Sequence, residues 1–117
     1  MAEGKRKELG RLGEDLACKT LSQSGYEMIE RNYSCRYGEI DLIAKKDACL
    51  YFVEVKTKKD GAYCLPQENI DSFKQKKIRL AAENYLTQTN YQGECGFLAV
   101  LILWQQQKIE VLEVGLY

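Results

Sequence analysis

The amino-acid sequence predicts a single α/β domain over residues 1–117, with helices packed on a mixed β-sheet. Three observations predict it. Three short apolar runs follow one another between residues 26 and 57, each at strand length. Longer stretches with helical periodicity stand before and after them. A continuous apolar run, 96–104, reads as a central strand covered on both faces. With 117 residues, 45% of them hydrophobic and 29% charged, the chain suffices for one modest core.

The elements follow in order. Residues 7–24 read as a helix, with Leu9, Leu12, Gly13, Leu16 and Thr20 on one stripe. Gly10 and Gly13 each weaken it by about 1 kcal/mol relative to alanine, a loss that close packing of backbone against a sheet can offset. Gly25 supplies the stop. Strands are expected at 26–33, 39–44 and 50–57, and the short polar link 45–48 makes the last two a hairpin. Residues 58–66 form a loop holding Gly61 and the sole proline, Pro66. A second helix is expected over 67–87, its stripe formed by Ile70, Phe73, Ile78, Ala81 and Tyr85 with Lys74 and Lys77 inside it. A polar loop, 88–94, leads to strand 96–104 and a last alternating strand, 108–114. The order is α-β-β-β-α-β-β.

Composition removes several classes of function. Seventeen basic and 17 acidic residues give zero net charge, so any affinity for nucleic acid must come from local patches. There is no histidine, which removes Ser-His-Asp and Cys-His catalysis. Five cysteines without a CxxC pair, and no histidine, argue against tetrahedral zinc and for free thiols. No apolar run approaches the roughly 20 residues of a membrane span, and the charged start lacks an export signal. The cytoplasm is the expected compartment.

Two segments carry chemistry: Gly38-Glu39-Ile40-Asp41-Leu42-Ile43-Ala44 and Phe52-Val53-Glu54-Val55-Lys56-Thr57. Strand alternation puts Phe52, Glu54 and Lys56 on one face and Tyr51, Val53 and Val55 on the other. A lone Glu-x-Lys strand is ordinarily a solvated ion pair. Asp41, mid-strand between Ile40 and Leu42, changes that reading, because aspartate is disfavoured there. Hairpin pairing would set it beside Glu54, where two carboxylates repel unless a divalent cation lies between them. Hard oxygen ligands suit Mg²⁺ or Mn²⁺. Glu14 flanks the first helix's stripe and is a third candidate carboxylate. Lys74 and Lys77 can meet phosphate, and Lys5, Arg6, Lys7 and Arg11, with Lys76 and Arg79, make a candidate basic patch.

These residues resemble the PD-(D/E)xK nuclease superfamily with its restriction-endonuclease-like fold. More closely, the chain resembles the YraN family of bacterial proteins expected to be endonucleases, which are similar in their core to archaeal Holliday junction resolvases. The matching positions are Gly10, Gly13-Glu14, Ala17, Gly25-Tyr26, Arg31-Asn32, the GEIDLIA and FVEVKT segments, Pro66, Glu68 and Lys74. The resemblance implies Asp41 and Glu54 as metal ligands, with the Val55 carbonyl beside them, and Lys56 near an attacking water. It implies Glu14 as the supporting helix glutamate and Lys74 as a basic contact. It implies a DNA substrate, branched or duplex, and a symmetric homodimer wherever two cuts are made together. Three positions depart from the pattern: Ile40 replaces the superfamily proline, Lys58 a common arginine, and Leu98 a common aspartate. The alternative function is a non-catalytic nucleic-acid-binding module acting with a protein partner. A third is an interaction protein whose acidic residues form only an ion-pair network.

Overall fold

Strand and helix order is as expected: α1 (Glu3–Gln23), β1 (Glu27–Cys35), β2 (Gly38–Lys46), β3 (Cys49–Lys58), α2 (Ser72–Thr89), β4 (Glu94–Leu103) and β5 (Lys108–Glu113). This computed structural model describes residues 3–58 and 72–115, excepting the side chains of residues 3–7, 9 and 72–74. The loop expected at 58–66, beyond its first residue, and the helix start expected at 67–71 lie outside the described residues.

The sheet runs β1-β2-β3-β4-β5. Neighbours are antiparallel except β3 and β4, which pair in parallel from Cys49↔Glu94 to Lys58↔Leu103. A parallel neighbour requires a crossover, and α2 lies within that connection. The β2–β3 hairpin turns at Asp47 and Ala48, with φ of 51° and 64°. Two positive φ values suit a tight turn whose twist matches the strands. Both helices end alike: Gly25 (φ 96°) and Asn90 (φ 54°) adopt the left-handed conformation. The Tyr26 N–H then reaches the Leu21 carbonyl at 3.0 Å and the Tyr91 N–H the Leu86 carbonyl at 3.1 Å.

Each sheet face buries one cluster. Ala17 and Leu21 of α1 cover Leu42, Val53, Leu98, Val100 and Ile102. Ala81, Ala82 and Tyr85 of α2 cover Ile40, Ile43, Leu50 and Phe52. Every residue of β4 from Leu98 to Leu103 is buried, as the continuous apolar run predicts. Tyr33 ties β1 to α2, donating its hydroxyl to Asn84 and meeting the Tyr85 ring edge-on at 5.2 Å. The stripe of α1 needs correction. It centres on Gly13, Ala17 and Leu21, and Leu12 is 52% exposed. The reason is small side chains: a Cβ on Gly13 would lie 2.6 Å from Thr57 Cγ2, so the helix approaches β3 there and turns Leu12 outward. In α2, Ile78, Ala81 and Tyr85 are buried as expected, with Ala82 beside them, while Lys77 is not within the stripe and lies exposed at its flank.

Two tests follow from this packing. Gly10 has no neighbour within 4 Å of an added Cβ, so Gly10→Ala should raise stability in urea by up to about 1 kcal/mol. Gly13→Leu should lower it by about 1–3 kcal/mol through overpacking against Thr57, Ile102 and Val55. The second concerns pH. A hydrogen bond with the Cys49 thiol, then burial, push the Tyr51 hydroxyl up to about 12. Burial also raises Tyr26, Tyr33 and Tyr85. A raised phenol binds its proton more tightly folded than unfolded, so its contribution is full below about pH 10, the unfolded value, and is lost as pH rises through the folded value. Stability should therefore fall between about pH 10 and 12. Tyr51→Phe should flatten that fall in alkaline melting curves.

Candidate metal and nucleic-acid site

The site begins where a ladder stops. β2 pairs with β3 from Lys46↔Cys49 up to Leu42↔Val53 and no further. One more step would set Asp41 opposite Glu54. Beyond that point β2 remains paired with β1 and β3 with β4, so the two strands part between fixed neighbours. β2 also loses its alternation there. Ile40 and Ile43 both pack on the α2 side, whereas Leu42 packs on the α1 side. Asp41 sits at the slip, and its Oδ2 accepts the Val55 N–H at 2.8 Å. A side-chain carboxylate thus takes a backbone donor of β3 where the strands separate.

The expected β3 faces are observed. Val53 and Val55 belong with the α1-side cluster and Phe52 with the α2-side cluster. Glu54 and Lys56 share the face of Phe52, and Lys56 Nζ lies 3.7 Å from Glu54 Oε1. The Glu54 side chain is only 12% exposed and that of Lys56 26%. Glu54 borders an apolar pocket lined by Ile40, Phe52, Ile78 and Phe97. Leu98, expected as a departure from the family pattern, is buried opposite Val53 and contributes packing.

Glu14 is held elsewhere. Arg31 Nη2 lies 3.6 Å from Glu14 Oε1, and Arg31 Nη1 lies 2.9 Å from Asp15 Oδ1. The hydrogen bond to Asp15 pushes the guanidinium pKa still higher, so Arg31 is a permanent cation. Arg31 pairs with Leu42 across β1 and β2. Its hold therefore ties Glu14 to β1, on the α1 side of the sheet. Among the described residues, no three Asp, Glu, Cys or His side chains gather where they could hold an ion. Sequence reasoning placed Arg31 in a motif but gave it no role. Its signal was a lone arginine in a strand facing the Glu14-Asp15 pair.

The basic residues fall around this end of the sheet. Lys77 is exposed, and its backbone packs on the β1–β2 turn: a Cβ on Gly38 would lie 3.6 Å from Lys77 Cβ and 3.9 Å from its carbonyl oxygen. Arg11 is exposed on α1, two residues before the Gly13 contact with Thr57. The Lys74 side chain lies outside the described residues. Arg36 and Tyr37, unmarked by sequence reasoning, form the β1–β2 turn just before Gly38. Cys18, Cys35, Cys49 and Cys95 are free thiols, and Cys64 lies outside the described residues. No helix among the described residues is long and apolar enough to cross a membrane.

Fold and site together define a class: a five-stranded α/β domain bearing an acidic residue on each of two parting strands and a lysine beside them. The chain belongs to the uncharacterised protein family UPF0102, the YraN family, whose model matches residues 13–114. A UPF0102 protein of Cytophaga hutchinsonii is 39% identical over 107 residues, covering 92% of this chain and 95% of its own. One of Chlorobium phaeobacteroides is 44% identical over 110 residues, covering 93% and 85%. One of Caldicellulosiruptor bescii is 46% identical over 80 residues, covering 68% and 67%.

The Asp41 contact separates charge from hydrogen bonding. Asp41→Asn keeps an acceptor for the Val55 N–H and should melt within about 0.5 kcal/mol of the wild type. Asp41→Ala removes the acceptor and should cost about 1–3 kcal/mol. Equal stability of the two variants in urea would show that the carboxylate does not hold the strand junction.

Proposed function

We propose that this protein is a metal-dependent endonuclease that hydrolyses DNA phosphodiester bonds, with Asp41, Glu54 and Lys56 at its centre. The carrying observation is the end of the β2–β3 ladder at Leu42↔Val53, with Asp41 bonded across the opening to Val55. An ordinary hairpin would continue pairing. Here the opening leaves acidic side chains beside a lysine at the end where Lys77 and Arg11 are exposed.

The donor set fits a hard dication. Two carboxylates and a backbone carbonyl are oxygen ligands only, as a hard dication that keeps several waters prefers. That set suits Mg²⁺ or Mn²⁺ and does not suit a closed zinc site. Asp41, Glu54 and the Val55 carbonyl would hold the ion, which when bound supplies Lewis acidity at a phosphoryl oxygen. Lys56 places an ammonium beside Glu54, where it orients the attacking water and offsets negative charge as the phosphorus becomes five-coordinate. The water oxygen bonds to phosphorus as one ester P–O bond breaks, leaving a hydroxyl on one strand end and a phosphate monoester on the other. Lys77, Lys74 and Arg11 would contact flanking phosphates. Arg31 holds Glu14 on the α1 side of the sheet, and the proposed centre rests on Asp41, Glu54 and Lys56 without it. Simultaneous cuts in a branched substrate would need a second copy of the chain.

One observation favours a second reading, a non-catalytic nucleic-acid-binding module acting with a protein partner: Glu14 is drawn to Arg31 and does not complete a three-acid centre. Cleavage decides between them. Branched, single-stranded and duplex DNA are incubated with Mn²⁺ and the wild type, Asp41→Ala or Glu54→Ala. The nuclease reading expects each substitution to slow cleavage on the order of 100-fold or more. Equal rates for all three proteins would contradict it, and binding without any cleavage would favour the binding module.

A further inference from the structure

The β1–β2 turn carries an arginine whose guanidinium lies over a tyrosine ring. Arg36 is exposed, and its guanidinium carbon lies 4.8 Å from the centroid of the Tyr37 ring. Arg36 Nη2 also donates to the Tyr37 hydroxyl, so the two side chains brace each other. The turn is fixed at its base. Cys35 pairs with Gly38, and Gly38, at φ 150°, lies against the Lys77 backbone of α2. Glu39 is drawn to the β1 side by the Ser34 hydroxyl at 3.2 Å. From Gly38 to Asp41 is three strand residues, about 10 Å. Nothing in the two buried clusters uses this pair.

We propose that Arg36 and Tyr37 form a stacking platform for an unpaired nucleotide next to the phosphate that the Asp41–Glu54 site cleaves. This rests on the nuclease reading and gives it a substrate class: DNA with single-stranded character at the cut. The chemistry is specific to both side chains. The Tyr37 ring and hydroxyl hold the guanidinium in place, a base stacks on the exposed faces of the pair, and the remaining guanidinium N–H groups reach the adjoining phosphate. Lys77, packed under the turn, adds a second cation for the backbone. A base inside a duplex presents only its edge, so it cannot stack here without leaving its pair.

The test measures binding in EDTA, where cleavage does not intervene. A fluorescein-labelled oligonucleotide is titrated as a single strand and as a blunt duplex, by fluorescence anisotropy, with the wild type, Arg36→Ala, Arg36→Lys and Tyr37→Ala. Arg36→Ala and Tyr37→Ala should each weaken single-strand binding about tenfold and duplex binding by no more than about twofold. Arg36→Lys keeps the charge and loses the plane, so it should resemble Arg36→Ala and serves as the conservative variant if the alanine proteins fold poorly. Unchanged single-strand affinity, equal loss on both substrates, full rescue by lysine, or no binding by the wild type would each overturn the platform. The two proposals fail separately. Normal cleavage with unaffected binding by the variants removes the platform alone. The expected binding pattern with no cleavage in Mn²⁺ removes the catalytic reading and leaves the platform.

Discussion

The hydrogen bond from the Val55 N–H to the Asp41 carboxylate is the contact on which the functional architecture depends. A hairpin as regular as β2–β3 would otherwise pair to its end and close over its own acidic residues. Because the pairing stops at Leu42↔Val53, β2 and β3 separate while each keeps its outer neighbour. The opening is thus rigid on both sides. Asp41 bridges it with one oxygen, which satisfies a backbone donor that the ladder no longer serves.

The rest of the fold maintains that opening. Small residues on α1 let the helix sit low on β3, and the Gly13 contact with Thr57 lies just beyond Lys56. On the other face, α2 covers Phe52 and Ile40 and gives Glu54 an apolar wall. A largely covered acid with an ammonium 3.7 Å away contributes little to stability on balance, since desolvation offsets attraction. Arg31 bridges β1 to α1 through Glu14 and Asp15, so the third acidic residue is positioned by a cation that neither sheet face needs for its core.

Much of this was legible in the residues. Strand periodicity located all five strands, and the faces of β3 followed from alternation alone, because Phe52 and Val53 have opposite neighbours. Aspartate between Ile40 and Leu42 is a local conflict, and such conflicts mark places where a fold yields to function. Other features were beyond reading. Leucine-rich periodicity pointed to Leu12, but the helix turns on Gly13 and Ala17, because the decisive quantity is how closely two backbones approach. The slip of β2 at Asp41 could not be foreseen, since strict alternation is the default for any strand. The Arg31 ion pairs depend on the relative height of α1 and β1, which no spacing encodes. Arg36 and Tyr37 stood out only once the turn that presents them was placed.

The most direct test is a crystal of the wild type soaked in Mn²⁺ and measured at the manganese absorption edge. The account predicts an anomalous peak between Asp41 and Glu54, in the opening beyond Leu42 and Val53, that disappears in Asp41→Asn crystals. An ordered structure with no peak there, or with manganese bound only at other carboxylates, would contradict it.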